Sequence, residues 1–151
     1  MANNYSQFSE RIEDITSDEA KWIRDVLHFD TSEDEDLTEL CKQLGIPNGY
    51  DFDGMWPHFD CQLEDEGENK LSLWLYCEEG YTEDHLTMFL QAFIRRFRPD
   101  YIMSITGSST CSKPRIGEFG GWWLVVSKDE VLGGNSWGAA EDAVAKIKKG
   151  R

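Results

Sequence analysis

The sequence predicts an α+β fold, a four-stranded, mostly antiparallel sheet with a long helix on its apolar face and two N-terminal helices. Three observations predict it. Phe59, Cys61 and Leu63 alternate with polar residues, and beyond the polar turn 66–70 the alternation resumes at Leu71, Leu73, Leu75 and Cys77, as expected of a half-buried hairpin. Leu86, Phe89, Leu90, Phe93 and Phe97 recur at helical spacing and make a strong apolar stripe. Two shorter helical stripes precede the hairpin. With 151 residues, 40% of them hydrophobic, six Trp and eight Phe, the chain has the size and apolar surface for one domain spanning residues 1–151. Within it we place an N-terminal helical part at about 8–45, a sheet-helix core at about 57–128 and a C-terminal helix or tail at about 133–151.

The first helix starts at Thr16, whose hydroxyl suits an N-cap, and Asp18 and Glu19 complement the positive end of the helix dipole. Ala20, Ile23, Val26 and Leu27 follow at helical spacing beside Trp22, with His28 near the negative end. A second helix carries Leu37, Leu40, Cys41 and Leu44 and is stopped by Gly45 and Pro47. Between them lies the acidic linker from Asp30 to Asp36. Residues 48–57, rich in Gly, Asp and aromatics, read as an ordered loop held by Tyr50, Phe52 and Trp56. In the hairpin, pairing Asp65 with Leu71 sets Leu63 opposite Leu73 and Cys61 opposite Leu75. The apolar side chains then share one face, and Asp60, Gln62, Glu64, Ser72, Trp74 and Tyr76 share the other. Thr82, Glu83 and Asp84 cap the long helix, Arg95, Arg96 and Arg98 crowd its last turn, and Pro99 ends it. This helix offers a crossover that would give the sheet one parallel pair. A third strand at 101–106, a polar loop from Gly107 to Arg115 and a fourth strand at 122–127 follow. Gly133 and Gly134 precede a weak alanine-rich helix from Ala139 to Lys149.

Charge bounds the function. The chain carries 29 acids and 15 bases, a net charge of −14. Residues 1–84 hold 23 acids and 5 bases, a net of −18, whereas residues 85–151 hold 6 acids and 10 bases, a net of +4. Direct nucleic acid binding draws most of its free energy from cations neutralising phosphates, so nucleic acid is not the expected ligand. The same repulsion disfavours an anionic membrane. No run approaches the ~18 apolar residues of a membrane span, and the opening residues lack the basic and apolar regions of a signal peptide. A soluble protein of the cytoplasm is expected. The four cysteines, Cys41, Cys61, Cys77 and Cys111, show no CxxC spacing, so neither zinc nor a redox dithiol is signalled, and no cofactor or metal is expected.

Candidate chemistry concentrates in the loop from Thr110 to Arg115. Cys111 sits near Lys113 and Arg115, whose field would favour a thiolate nucleophile, yet no histidine is near in sequence; the plainer reading is a small apolar anchor. Lys113 and Arg115, with the hydroxyls and amides of 107–110, also suit an anion site. Gly120 and Gly121 mark either close approach to a ligand or, as we favour, a bulge or a positive-φ turn. One of Trp122 and Trp123 must point away from the core; with Trp74 and Tyr76 it forms an aromatic patch suited to a protein partner, unless the first two helices cover that face. Asp51, Asp53 and Gly54 begin like a calcium loop, but Met55 and Gln62 stand where oxygen donors are needed. The carboxylates Asp30, Glu33, Asp34, Glu35, Asp36, Glu64, Asp65 and Glu66 are the candidate partner-steering surface.

The segments Phe97 to Asp100, Thr110-Cys-Ser-Lys-Pro-Arg115 and Glu118-Phe-Gly-Gly121 resemble a group of small uncharacterised proteins encoded by bacteriophages and plasmids, the likeness being strongest over residues 82–129. Trp122 stands where that group would have a third glycine. The resemblance implies a mobile-element origin and a host bacterial cytoplasm, and carries no activity. The expected function is a non-enzymatic accessory or inhibitor protein that binds a host protein through its acidic surface, in one form an anti-restriction or other anti-defence protein imitating nucleic acid for a nucleic-acid-binding partner. The alternatives are a small enzyme or anion-binding domain centred on Cys111 to Arg115, and a homo-oligomer in which the cationic part of one chain docks on the anionic part of another.

Overall fold

The computed structural model describes residues 2–32 and 35–151. The fold is α+β, and the described residues form ten elements in the order β1 (Asn4–Ile12), α1 (Ser17–Leu27), α2 (Thr38–Leu44), β2 (Asp60–Asp65), β3 (Leu71–Cys77), α3 (Glu83–Phe97), β4 (Met103–Cys111), β5 (Gly120–Val126), β6 (Val131–Asn135) and α4 (Ser136–Lys149). The sheet has six strands, not four, ordered β2-β3-β1-β4-β5-β6, and every neighbouring pair is antiparallel. The extra strands are β1, whose residues 8–12 fall within the expected helical part, and β6, whose residues 133–135 fall within the expected tail. Because β1 lies between β3 and β4, the two strands joined by α3 run parallel without touching. Likewise β3 separates β1 from β2, so the first four strands form two interlocked split βαβ units, the ferredoxin-like connectivity, with β5 and β6 added at one edge.

Local sequence explains the elements that position the rest. Thr16 and Glu19 make a reciprocal capping box: the Glu19 amide donates to Thr16 Oγ1 at 3.1 Å and the Thr16 amide donates to Glu19 Oε1 at 2.9 Å. Gly45 ends α2 in the left-handed conformation (φ 68°), where its amide donates to helix carbonyls. The hairpin register is the expected one, Asp65 against Leu71, Leu63 against Leu73 and Cys61 against Leu75. Thr82 precedes α3 as the N-cap residue but makes no side-chain capping bond; its Oγ1 lies 2.7 Å from His58 Nδ1 instead.

The core lies between one face of the sheet and the helices. Phe8 and Ile12 of β1, Leu73, Leu75 and Cys77 of β3, Met103 and Ile105 of β4, and Leu124 and Val126 of β5 point into it. Phe89 and Phe93 of α3, both fully buried, meet Trp22 of α1 at centroid distances of 5.8 and 6.3 Å. Thus α1 and α3 share the apolar face of the sheet, and α2 packs on α3. Burying one such aromatic side chain contributes about 1.5–3 kcal/mol.

The C-terminal turn of α3 is anchored by a charge pair. Arg98 donates to both carboxylate oxygens of Glu19, at 2.9 and 3.0 Å, and to the carbonyls of Glu13 and Asp14, at 3.0 and 2.9 Å. Asp14 itself is held at φ 56°. Burial pushes the Glu19 carboxyl up, but the hydrogen bonds and charge of Arg98 and the bonds from Thr16 outweigh it and hold the group below the usual carboxylate range. The basic last turn therefore serves as more than a complement to the helix dipole.

Three strand glycines are explained by tryptophans that lie on them. Gly107 lies under the Trp122 indole, a Cβ on Gly120 would stand 2.7 Å from the Trp137 ring, and one on Gly134 would stand 2.8 Å from the Trp123 ring. The bulge or positive-φ turn favoured for Gly120 and Gly121 is absent, since both lie in the regular β4–β5 ladder; at Gly120 the start of α4 leaves no room for a Cβ, whereas one on Gly121 would meet only the Gly107 carbonyl at 3.5 Å.

Candidate partner-binding site

Strand alternation sends half of each strand to the side opposite the helices. That side collects Asp60, Gln62 and Glu64 of β2, Trp74 and Tyr76 of β3, Tyr5, Gln7, Ser9 and Arg11 of β1, Ser104, Thr106 and Ser108 of β4, and Trp123 of β5. The first two helices do not cover it, because α1 packs beside α3 on the other face. Gln7, Ser9, Arg11, Ser104, Thr106 and Trp123 are exposed there.

The aromatic pair at its centre is held in place. The Trp74 and Tyr76 rings stack at 3.9 Å between centroids with 19° between planes. Trp74 Nε1 donates to Ser9 Oγ at 2.9 Å, and Gln62 Nε2 donates to the Tyr76 hydroxyl at 3.1 Å. Both polar tips are satisfied by neighbouring strands, so the rings stay half-buried with little rotameric freedom left to lose on binding. Trp123, 43% exposed, is three strands away, about 14 Å across the sheet. The floor between the two aromatic positions is hydroxyl and amide: Gln7, Ser9, Thr106 and Ser108.

Arg11 pairs with Glu64 at 3.2 Å and Glu66 at 3.1 Å, which occupies the strand cation of this face. Asp60 and Glu64 mark its β2 margin, and Asp65 and Glu66 stand at the hairpin end. The other expected steering residues lie elsewhere: Asp30, Glu35 and Asp36 belong to the α1–α2 connection on the helical side, and Glu33 and Asp34 fall outside the described residues. On that side Asp18, Asp25 and Glu39 rim a groove of about 540 Å³ floored by Trp22, Val26, Phe29 and Leu40. The structure therefore separates the acids from one another and leaves only the hairpin group beside Trp74 and Tyr76.

The loop from Gly107 to Arg115 is largely a strand. Residues 107–111 belong to β4, between β1 and β5, so their amides serve the sheet and do not form an anion cradle. Cys111 is buried against Asn4 at the end of that strand, with no hydrogen bond to a histidine among the described residues. Lys113 and Arg115 are exposed beyond it, and neither makes an ion pair among the described residues. Of the other thiols, burial and the Asp60 charge push Cys61 up to about 11, and burial also raises Cys77. Asp51 and Asp53 form a turn, the Asp53 amide donating to Asp51 Oδ1 at 2.8 Å.

One cluster escaped the sequence reading. His85 of α3 is buried among Tyr50, Phe52 and Trp56, and its Nδ1 accepts the His58 amide at 3.1 Å. Burial, reinforced by the His58 charge, holds its pKa below the ordinary histidine value. It pins the 50–59 loop to α3; the aromatic loop itself was legible, but its partner lay 27 residues downstream. Among the described residues no three His, Cys, Asp or Glu side chains converge as a metal site, and no helix is long and apolar enough to cross a membrane. Comparison of the chain with protein-family models, with curated proteins and with solved structures finds no match.

Proposed function

We propose that this chain is a non-enzymatic binding protein that docks another protein on the uncovered face of its sheet. The observation that carries the reading is the preorganised Trp74–Tyr76 pair on an inner strand, facing away from every element of the core. Rigid aromatics on a polar floor are what protein interfaces use as anchors, because they bury large area at low entropic cost. The acidic margin and the net charge of −14 speed encounter with a basic partner.

The same rings could stack on nucleotide bases, but that ligand needs free cations for its phosphates, and Arg11 is engaged by two carboxylates. A protein partner is favoured for that reason. The motif resemblance suggests a mobile-element origin and a bacterial cytoplasm, and the excess of acids suggests an accessory or inhibitor protein acting there on a host protein that itself binds nucleic acid. Imitation of nucleic acid is the less supported mechanism within it, since the carboxylates divide between the hairpin end and the helical side.

The test is affinity capture from bacterial lysate with the wild type, with Trp74→Ala/Tyr76→Ala, and with the acids of 30–36 changed to amides, each variant checked for folding by circular dichroism. The aromatic variant should lose a partner that the amide variant keeps. Equal recovery by the wild type and the aromatic variant would overturn the reading.

A further inference from the structure

Beside the Trp74–Tyr76 pair the open face of the sheet dips into a shallow recess of about 270 Å³, lined by both rings, Gln7, Ser9 and Glu78. Among the described residues no lysine, arginine or histidine lines it. Gln7 Nε2 donates to the Glu78 carbonyl at 2.9 Å, which ties β1 to the end of β3 and leaves Gln7 Oε1 as an acceptor. The Ser9 hydroxyl accepts the Trp74 N–H and keeps a second lone pair.

The charge around this recess is one-sided. Asp60 stands opposite Tyr76 in the β2–β3 pairing, and Arg11 stands opposite Trp74 in the β1–β3 pairing. The Arg11 guanidinium, however, is drawn to Glu64 and Glu66. Among the described residues the cation–π contacts are made by Arg96 and Arg98 on other rings, so Trp74 and Tyr76 carry no cation. Asp60 and Glu78 make no ion pair among those residues either. Four carboxylates, Asp60, Glu64, Glu66 and Glu78, thus stand around the pair against the single guanidinium of Arg11.

We propose that this recess takes an arginine side chain of the protein partner, an inference that rests on the docking reading. Aromatic faces attract cations, and carboxylates beside them add to the field. A guanidinium fits better than an ammonium: it is flat, so it lies along a ring, and it is weakly hydrated, so it leaves water readily. Its fork of N–H donors needs several acceptors, and Glu78, Gln7 and Ser9 supply a carboxylate, an amide oxygen and a hydroxyl. An anionic group is repelled here, and an apolar one would cover Glu78 without pairing it.

The probe is N-acetyl-arginine amide, titrated into the isotope-labelled whole chain at low ionic strength and followed by two-dimensional NMR. N-acetyl-lysine amide and the uncharged near-isostere N-acetyl-citrulline amide are titrated beside it. The Trp74 indole N–H, assigned by its loss in Trp74→Phe, is the readout. The arginine probe should shift it saturably with a Kd on the order of millimolar, at least about fivefold tighter than lysine, and citrulline should not saturate. Glu78→Gln should weaken binding about five- to tenfold, and Trp74→Ala, followed through the Gln7 side-chain amide, at least about tenfold. Glu78 is exposed, so its variant keeps the fold even where loss of Trp74 disturbs the sheet. Glu141→Gln removes the same charge from α4 and should leave binding unchanged, which separates the recess from bulk attraction. Equal binding of lysine or citrulline, no saturable shift by about 50 mM, or indifference to Glu78→Gln overturns the inference. The docking reading is judged separately by capture from lysate: a partner lost with Trp74→Ala/Tyr76→Ala but not displaced by the arginine probe leaves that reading standing and overturns this one.

Discussion

Replacing Arg98 with alanine withdraws the countercharge from a carboxylate that is 3% exposed and removes the donor shared by the carbonyls of Glu13 and Asp14. Breaking a buried pair from one side costs about 3–5 kcal/mol, because the remaining charge is stranded. With a urea slope of about 2 kcal/mol per molar, the unfolding midpoint should fall by about 1.5–2.5 M. Glu19→Gln keeps an acceptor for the Thr16 amide and strands no charge, so its loss should be smaller. Adding it to Arg98→Ala should recover part of the stability. The pH dependence has a definite sign. In the wild type Glu19 titrates below its ordinary 4.5, so its stabilisation is present above that value and is lost as pH falls through the native pKa. Without Arg98 the Thr16 bonds alone oppose burial, the largest influence on this group, so folded Glu19 binds its proton more readily than in the wild type. The deficit of Arg98→Ala should therefore shrink between pH 7.5 and pH 5. Urea titrations followed by Trp fluorescence and circular dichroism read both effects. A deficit under about 1 kcal/mol, as for an exposed pair, or one that does not change with pH, would refute the reasoning.

His85 is held neutral, so stability should be full above about pH 6.5 and decline as pH falls from there toward the native pKa, where His85→Gln removes this part of the slope; an unchanged slope in the variant would count against it. Gly107→Ala places a methyl against the Trp122 indole and 2.7 Å from the Gln7 carbonyl, and should cost about 1–3 kcal/mol in thermal or urea unfolding, more than an alanine at Gly80, which meets no atom within 4 Å. Trp56→Phe removes the indole N–H that donates to the Val26 carbonyl at 3.0 Å at the end of α1; the orphaned carbonyl should cost about 1–3 kcal/mol by urea titration.

The legible elements were those whose apolar side chains repeat at a helical or strand period. Helices α1, α2 and α3, the β2–β3 hairpin and its register follow from Ile23 and Val26, Leu40 and Leu44, Phe89 and Phe93, and the alternation around residues 66–70. In β1, by contrast, Phe8 and Ile12 are the only buried residues of nine, so a strand at the middle of the sheet shows no strand period. Its bonds to β3 and β4 hold it, and those neighbours are distant in sequence. In β6 two of five residues are glycine, which suggests a turn until the ring of Trp123 is placed over Gly134.

The site divides in the same way. Period-two alternation by itself put Trp74 and Tyr76 on the face opposite the core, and composition by itself put the negative charge in the first half of the chain. Only the tertiary structure decided that this face is left uncovered, because α1 stacks Trp22 on Phe89 and so shares the apolar face with α3. It likewise parted the linker acids from the hairpin acids, and drew the hydroxyls of 107–111 into a strand. Local sequence encodes which way a side chain points relative to its own backbone; which layer comes to lie over it depends on contacts between segments far apart in the chain, and no local period records those.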